Sequence, residues 1–255
     1  MKIKILFAIA IMTICTGNLR GQGKVLAYTE GSAKLNGFYA APTGKSNSAG
    51  ILILPAWMGI TAHEKTTAQR LSKLGYHVLA ADIYGDGNQP KNPQEAGKLA
   101  GYYKSNIEKY HERIKAALNT LIKQGASPSQ IAVMGYCFGG TGAIECAREN
   151  FPVKAVISFH GGLGRDSSRT INPIKPKLLI LHGANDPYES EQEIKAFQQE
   201  MKTAKADWQM IYLPNAVHAF TDPAAGTDPS KGAAYNEQAD KRSWEYMLVF
   251  LKEIF

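Results

Sequence analysis

Six short, uninterrupted apolar runs, most of them followed by a segment of helical spacing, constrain this chain more than any other feature. They cover 50–54, 77–81, 131–134, 155–159, 178–181 and 208–213. A strand open to water on one side alternates apolar and polar residues, whereas one covered on both faces need not, so these runs predict buried strands of a mostly parallel sheet. Helical spacing over 62–74, 107–124, 139–150, 191–204 and 236–255 supplies layers for both faces. Two earlier strands, 25–30 and 34–41, join at Gly31-Ser32. The fold class is α/β in a single domain, because 255 residues with 44% hydrophobic content suffice for one core and no internal repeat is present. Stretches 84–101 and 161–176 read as long connections, which in such folds carry the site rather than the core.

Residues 1–23 have the character of a signal peptide: Lys2 and Lys4 precede the apolar run 5–14, and small residues follow up to Gly23. The mature domain is expected to span 24–255, in a secreted or periplasmic protein. The run is shorter than the roughly 20 apolar residues of a membrane span, so no membrane association is expected after cleavage. Ile14 before Cys15 argues against lipidation. Loss of the leader removes Lys2, Lys4 and Arg20, and the balance falls from 29 basic against 22 acidic residues to 26 against 22. What remains is spread over helix faces without aromatic interleaving, which excludes a nucleic-acid binder. Cys137 and Cys146 lie about 13 Å apart along one helix, beyond disulfide reach. A cysteine kept in an oxidising compartment without a partner points to reactivity for Cys137 and to core packing for Cys146.

Cys137 stands in Gly135-Tyr136-Cys137-Phe138-Gly139-Gly140, directly after a strand. Glycines two before and two after a nucleophile mark the sharp strand-turn-helix elbow on which such a residue is presented. A thiol needs a base, and the base an orienting acid. Asp186 follows the strand ending at His182, in Gly183-Ala184-Asn185-Asp186-Pro187, and His218 follows 208–213. Nucleophile, acid, histidine is the chain order of the α/β-hydrolases. Of the other histidines, His63, His77, His111 and His182 fall on helices or strands, and His160 is assigned a structural role at the edge of the pocket. His63-Glu64-Lys65-Thr66-Thr67 lacks the second histidine of a zinc helix, and Gly85-Asp86-Gly87 lacks the third glycine of a dinucleotide loop. Neither a metal nor a cofactor is expected.

The sequence resembles the dienelactone hydrolase family from about Gly50 to the C-terminus. The resemblance rests on Gly75-Tyr76, Asp82-Ile83-Tyr84-Gly85, the elbow, His182 to Pro187, Asn215-Ala216-Val217-His218-Ala219-Phe220, Ala234-Tyr235-Asn236 and Arg242-Ser243-Trp244. It implies an α/β-hydrolase fold without a separate lid domain, a Cys137-His218-Asp186 triad, and an oxyanion hole built from the backbone N–H groups of Trp57 and Phe138. Where the family carries a glutamate that helps activate the thiol, this chain has Ala56, and Glu64 is the candidate substitute. Where the family grips a substrate carboxylate with arginines, the matching residues are Asp86 and Asp222.

The expected activity is cleavage of small, neutral esters, lactones or thioesters through an acyl-cysteine, with dienelactone itself a poor substrate. Two alternatives stay open: a catalytically inactive binding protein of the same fold, motivated by Ala56, and an acyltransferase using the same nucleophile. Oligomeric state, monomer or dimer, is undecided by the sequence.

Overall fold

The computed structural model describes residues 23–44 and 47–255; the expected signal peptide, with Cys15, lies outside them apart from Gly23. Eight strands form one sheet: β1 (Lys24–Glu30), β2 (Ala33–Ala40), β3 (Gly50–Leu54), β4 (His77–Ala80), β5 (Ile131–Tyr136), β6 (Ala155–Phe159), β7 (Lys177–Gly183) and β8 (Trp208–Leu213). Their order is β1-β2-β4-β3-β5-β6-β7-β8, with β1 and β2 antiparallel and the rest parallel. This is the mostly parallel sheet that the apolar runs predict, in the α/β-hydrolase arrangement that the resemblance implies.

The runs are continuous because successive side chains enter different cores. Leu52, Leu54, Leu79, Val133, Val156 and Ile180 join one cluster, while their neighbours Ile51, Ile53, Val78, Met134, Ile157 and Leu181 join the other. Helices α1 (Ala62–Lys73) and α6 (Glu237–Ile254) cover the second face, and α3 (Ile107–Lys123) and α4 (Phe138–Arg148) the first, with α5 (Glu191–Thr203) beside them. Cys146 is fully buried in the first cluster and both described cysteines are free.

Two expectations are corrected. The segment 84–101 is not a plain connection: α2 (Pro93–Ser105) begins within it, capped by the Asn92 side chain accepting from Glu95 N at 2.9 Å, with Pro93 at the first turn. The run 208–213 is not covered on both faces, because β8 lies at the sheet edge, where Gln209 and Tyr212 are exposed. The connection 161–176 is irregular, as expected. Arg148 pins its start, donating to Leu163 O (2.8 Å) and Gly164 O (2.9 Å) while it pairs with Glu200 of α5.

The glycines of the elbow set how closely α4 approaches the sheet. A Cβ on Gly135 would lie 2.0 Å from Gly139 O, and one on Gly139 would lie 2.1 Å from Leu54 O. Both obstacles are backbone and have no side-chain freedom with which to yield. Gly139→Ala is therefore expected to destabilise by about 3 kcal/mol or more, lowering the Tm by ~6–12 °C for a chain of this size. Gly101→Ala in α2, where a Cβ meets nothing within 4 Å, should leave the Tm unchanged or raise it. Thermal melts of both variants check this.

Candidate active site

Strand β5 ends at Tyr136, α4 starts at Phe138, and Cys137 makes the turn between them with φ 50° and ψ −113°. A left-handed φ at a residue bearing a Cβ costs on the order of 1–3 kcal/mol. Flanking backbone bonds hold it there: Cys137 N donates to Phe159 O at 3.0 Å and Thr141 N donates to Cys137 O at 3.0 Å. The side chain is left half-buried at the head of α4.

Asp186 and His218 come from the turns after β7 and β8, neighbouring strands in the sheet. Gly183 lets those turns touch, since a Cβ there would lie 2.7 Å from Ala216 O. Asn185 N accordingly reaches Ala216 O at 2.9 Å. His218 is held from behind by segment 232–234, its N donating to Gly232 O and its O accepting from Ala234 N. The structure brings the three side chains together. His218 Nδ1 lies 2.8 Å from Asp186 Oδ2, and His218 Nε2 lies 3.0 Å from Cys137 Sγ. Asp186 Oδ1 also accepts from Tyr188 N at 3.0 Å, so the acid is fixed as well as buried.

Charge follows from this geometry. Burial pushes the Cys137 thiol up, but the hydrogen bond and charge of His218, then Lys104 and the Phe138 N–H, more than offset it and leave the thiol below its ordinary range. Burial alone would lower His218, yet Asp186 and Cys137 raise it to about 10. Both shifts favour a thiolate facing an imidazolium. Tyr188 and His160 stand edge-on to the His218 ring, each with centroids 5.2 Å away. His160 Nε2 lies 2.8 Å from Thr221 Oγ1, and burial and then the nearby His218 keep its own ring neutral.

The turn after β3 carries Trp57. Ala56 N donates to Glu64 Oε1 (3.3 Å), Gly59 N to Ala56 O (2.9 Å), and Tyr84 Oη to Trp57 O (2.7 Å). In a trans peptide the Trp57 N–H points opposite to the Ala56 carbonyl, which is turned towards Gly59. Trp57 lines the cleft that holds Cys137 and His218.

Two candidates from the sequence sit elsewhere or act differently. Glu64 lines the cleft, but its carboxylate accepts from Thr61 N (2.8 Å), Thr61 Oγ1 (2.7 Å) and Ala56 N, closing the α1 capping box rather than meeting the thiol. Asp86 is turned away: its N donates to Lys34 O and it accepts from Asn36 Nδ2 at 3.0 Å, outside the cleft. Asp222 does line the cleft.

The sequence reading also missed residues. Lys104, near the end of α2, lines the cleft, as does Glu189, whose carboxyl burial pushes up against the Leu163 N–H it accepts. The Asn92-Pro93-Gln94-Glu95 start signal could have revealed the helix that carries Lys104. The cleft has a volume of about 730 Å³, within the size of small-molecule sites. Among the described residues no group of three or more His, Cys, Asp or Glu is placed to hold a metal ion.

Iodoacetamide alkylation of Cys137 against pH should titrate below the free thiol's ~8.5. Replacing His218 by Gln removes the group that lowers the thiol and leaves its burial, so the midpoint should move up. An unchanged midpoint would contradict the ion pair.

Comparison with known proteins gives a consistent picture. Residues 35–255 match the model of the Dienelactone hydrolase family. A dienelactone hydrolase-like promiscuous phosphotriesterase from metagenomic libraries superposes with a TM-score of 0.83 and 34% identity, over 91% of this chain and 98% of that one. A solved structure named m3DLH gives 0.85 and 32%, over 91% and 98%. Uncharacterized protein K02A2.1 of Caenorhabditis elegans is 38% identical over 151 residues, 58% of this chain and 95% of its own.

Proposed function

The chain belongs to the dienelactone hydrolase family, and from that premise we propose that it hydrolyses small esters, lactones or thioesters through an acyl-Cys137 intermediate. The observation that carries this reading is the hydrogen-bonded line Cys137 Sγ, His218, Asp186, whose first two members line the cleft. The thiolate adds to the substrate carbonyl, and the N–H groups of Trp57 and Phe138 receive the developing oxyanion. The tetrahedral adduct collapses as the C–O bond breaks, and the imidazolium of His218 gives its proton to the leaving alkoxide. Neutral His218 then takes a proton from water, whose oxygen attacks the thioester. Collapse releases the acid, and the thiolate and imidazolium are restored. Asp186 fixes the ring tautomer throughout.

Esters suit this site better than amides. A thiolate leaves more readily than an amine, so an amide adduct returns to substrate unless the nitrogen is protonated first. Neutral substrates suit it better than anionic ones. Glu64, Glu189 and Asp222 line the cleft against Lys104 alone among the lysines and arginines. The repulsion proposed for substrate carboxylates therefore comes from these three, with no part for Asp86.

A second reading, phosphotriester hydrolysis, is favoured by the relative at 34% identity that carries that activity in its name. The same thiolate and amides would serve a phosphoryl group. Export behind a cleaved leader is also part of the proposal, and the N-terminus of protein recovered outside the cytoplasm tests it.

With a neutral aryl ester, Cys137→Ala should lower kcat/KM by at least ~10⁴-fold, and Asp186→Asn by about 10⁴-fold, at unchanged Tm. Burst kinetics and mass spectrometry should detect the acyl group on Cys137. Activity undiminished in Cys137→Ala overturns the reading.

A further inference from the structure

The turn that carries Trp57 is held by a side chain that has no place in the cleft lining. Tyr84, in the connection after β4, is 3% exposed and lies outside the residues around Cys137 and His218. Its hydroxyl donates to Trp57 O at 2.7 Å. Burial, reinforced by the charge of Cys137, keeps that hydroxyl protonated. The Tyr84 ring stacks on that of Phe138, with centroids 5.9 Å apart and planes inclined by 20°. Strand β3 lies between β4 and β5 in the sheet, so Tyr84 reaches past the end of β3 to make this contact. One side chain therefore touches both residues whose amides are proposed to receive the oxyanion.

The backbone around the Trp57 N–H is fixed at successive points. Ala56 N donates to Glu64 Oε1, Ala56 O accepts from Gly59 N, and Trp57 O accepts from Tyr84 Oη. The first two bonds belong to the turn and the helix it opens, whereas the third ties the turn to the connection after β4. Tyr84 is itself anchored by Asp82. Asp82 Oδ1 accepts from Tyr84 N (3.1 Å), Gly85 N (2.9 Å) and Gln89 Nε2 (3.3 Å), while Oδ2 accepts from Asn36 N (2.9 Å). The same curl sets Gln89 against the Trp57 turn, where a Cβ on Gly59 would lie 2.3 Å from Gln89 Oε1. Phe138 has a further support in Tyr110, which stacks on its ring at 4.6 Å and donates to its carbonyl at 3.2 Å.

An amide stabilises a developing oxyanion best when it is aimed before the reaction begins, because no reorganisation is then needed as the charge forms. We propose that Tyr84 is a positioning residue, which aims the Trp57 N–H at the substrate's carbonyl oxygen by gripping the next peptide of the turn and holds it in register with Phe138. The proposal rests on the acyl-cysteine reading and adds to it a residue that touches no reacting atom.

The test compares two reactions of the same thiolate. Addition to an ester carbonyl develops an oxyanion, whereas iodoacetamide is alkylated by displacement of iodide at a saturated carbon and develops none. Tyr84→Phe keeps the ring on Phe138 and removes only the bond to Trp57. Single-turnover acylation of Cys137 by p-nitrophenyl acetate should slow about tenfold or more in this variant, while the rate and pH midpoint of Cys137 alkylation stay as in the wild type. Working below the melting transition of the variant keeps both reactions on folded protein. An unchanged ratio of acylation to alkylation rate constants, whether both hold or both fall together, overturns the proposal.

Mass spectrometry of the wild-type protein separates the two readings. No acyl group on wild-type Cys137 after treatment with p-nitrophenyl acetate, with alkylation intact, removes the acyl-cysteine reading and the role of Tyr84 with it. An acylated wild type whose rate ratio survives Tyr84→Phe removes the role of Tyr84 alone.

Discussion

The closeness of α4 to the sheet is the constraint on which the rest of this molecule depends. Backbone of Gly135 and Gly139 meets where no Cβ fits, and Gly139 rests against the carbonyl of Leu54 in β3. That contact leaves Cys137 no room for an ordinary turn and forces its positive φ. Among the described residues seven non-glycine positions have positive φ, and three of them, Cys137, His160 and Ala219, line the one cleft. Strain gathered in this way needs a surrounding structure that over-determines it. Here the surroundings are the parallel strands β3, β5 and β6, whose buried ladders hold both ends of the elbow.

The same closeness determines the chemistry. It sets the thiol at the start of α4, near the Phe138 N–H and within reach of His218, so ionisation is favoured by groups that cannot move away. In this chain Ala56 supplies no carboxylate beside the thiol. Glu64, the acid nearest that place, is committed to the turn that carries Trp57, holding Ala56 N and Thr61 together. Its carboxylate shapes the turn that carries Trp57 and makes no bond to the thiol. In the proposed reaction activation is left to His218, with Lys104 adding a positive charge from α2.

Most of the frame is legible in the sequence because burial on both faces leaves an unmistakable mark. Runs such as 50–54 and 155–159 contain no polar residue but Ser158, and the strands lie where they predict. The edge strand 208–213 breaks the rule: one apolar residue is enough for each half-covered position, so Gln209 and Tyr212 face out. Helix α2 escaped notice because Gly97 and Gly101 punctuate it, although Asn92 and Pro93 announce its start. Lys104 went unseen with it. The three converging side chains, Cys137, Asp186 and His218, could be read because each lies in the turn just past a strand end, where backbone alone predicts its position. Glu189 and Tyr188 have no such signature, since only the packing of two turns against each other brings them to the site. Asp86 shows the opposite error. Asp82 Oδ1 accepts from Tyr84 N and Gly85 N, which curls that turn, and Asp86 N is bonded to Lys34 O, so a position that matches by sequence faces β2 instead of the cleft.

In the proposed cycle, the charge of Cys137 controls the basicity of its own partner. Two anions hold the proton on His218 in the resting site, the thiolate and Asp186. Acylation turns the thiolate into a neutral thioester, and one of the two is gone. His218 then gives up its proton more easily, at the step where the leaving alkoxide needs it, and remains neutral when water must be deprotonated. Release of the acid restores the thiolate, and with it the raised affinity of His218 for a proton. A serine at this elbow would not couple the steps in this way, because its hydroxyl is not ionised at rest. The missing carboxylate at Ala56 fits this scheme: a fixed negative charge there would compete for the proton of His218 through every step, whereas the sulfur's charge acts only while the nucleophile is free.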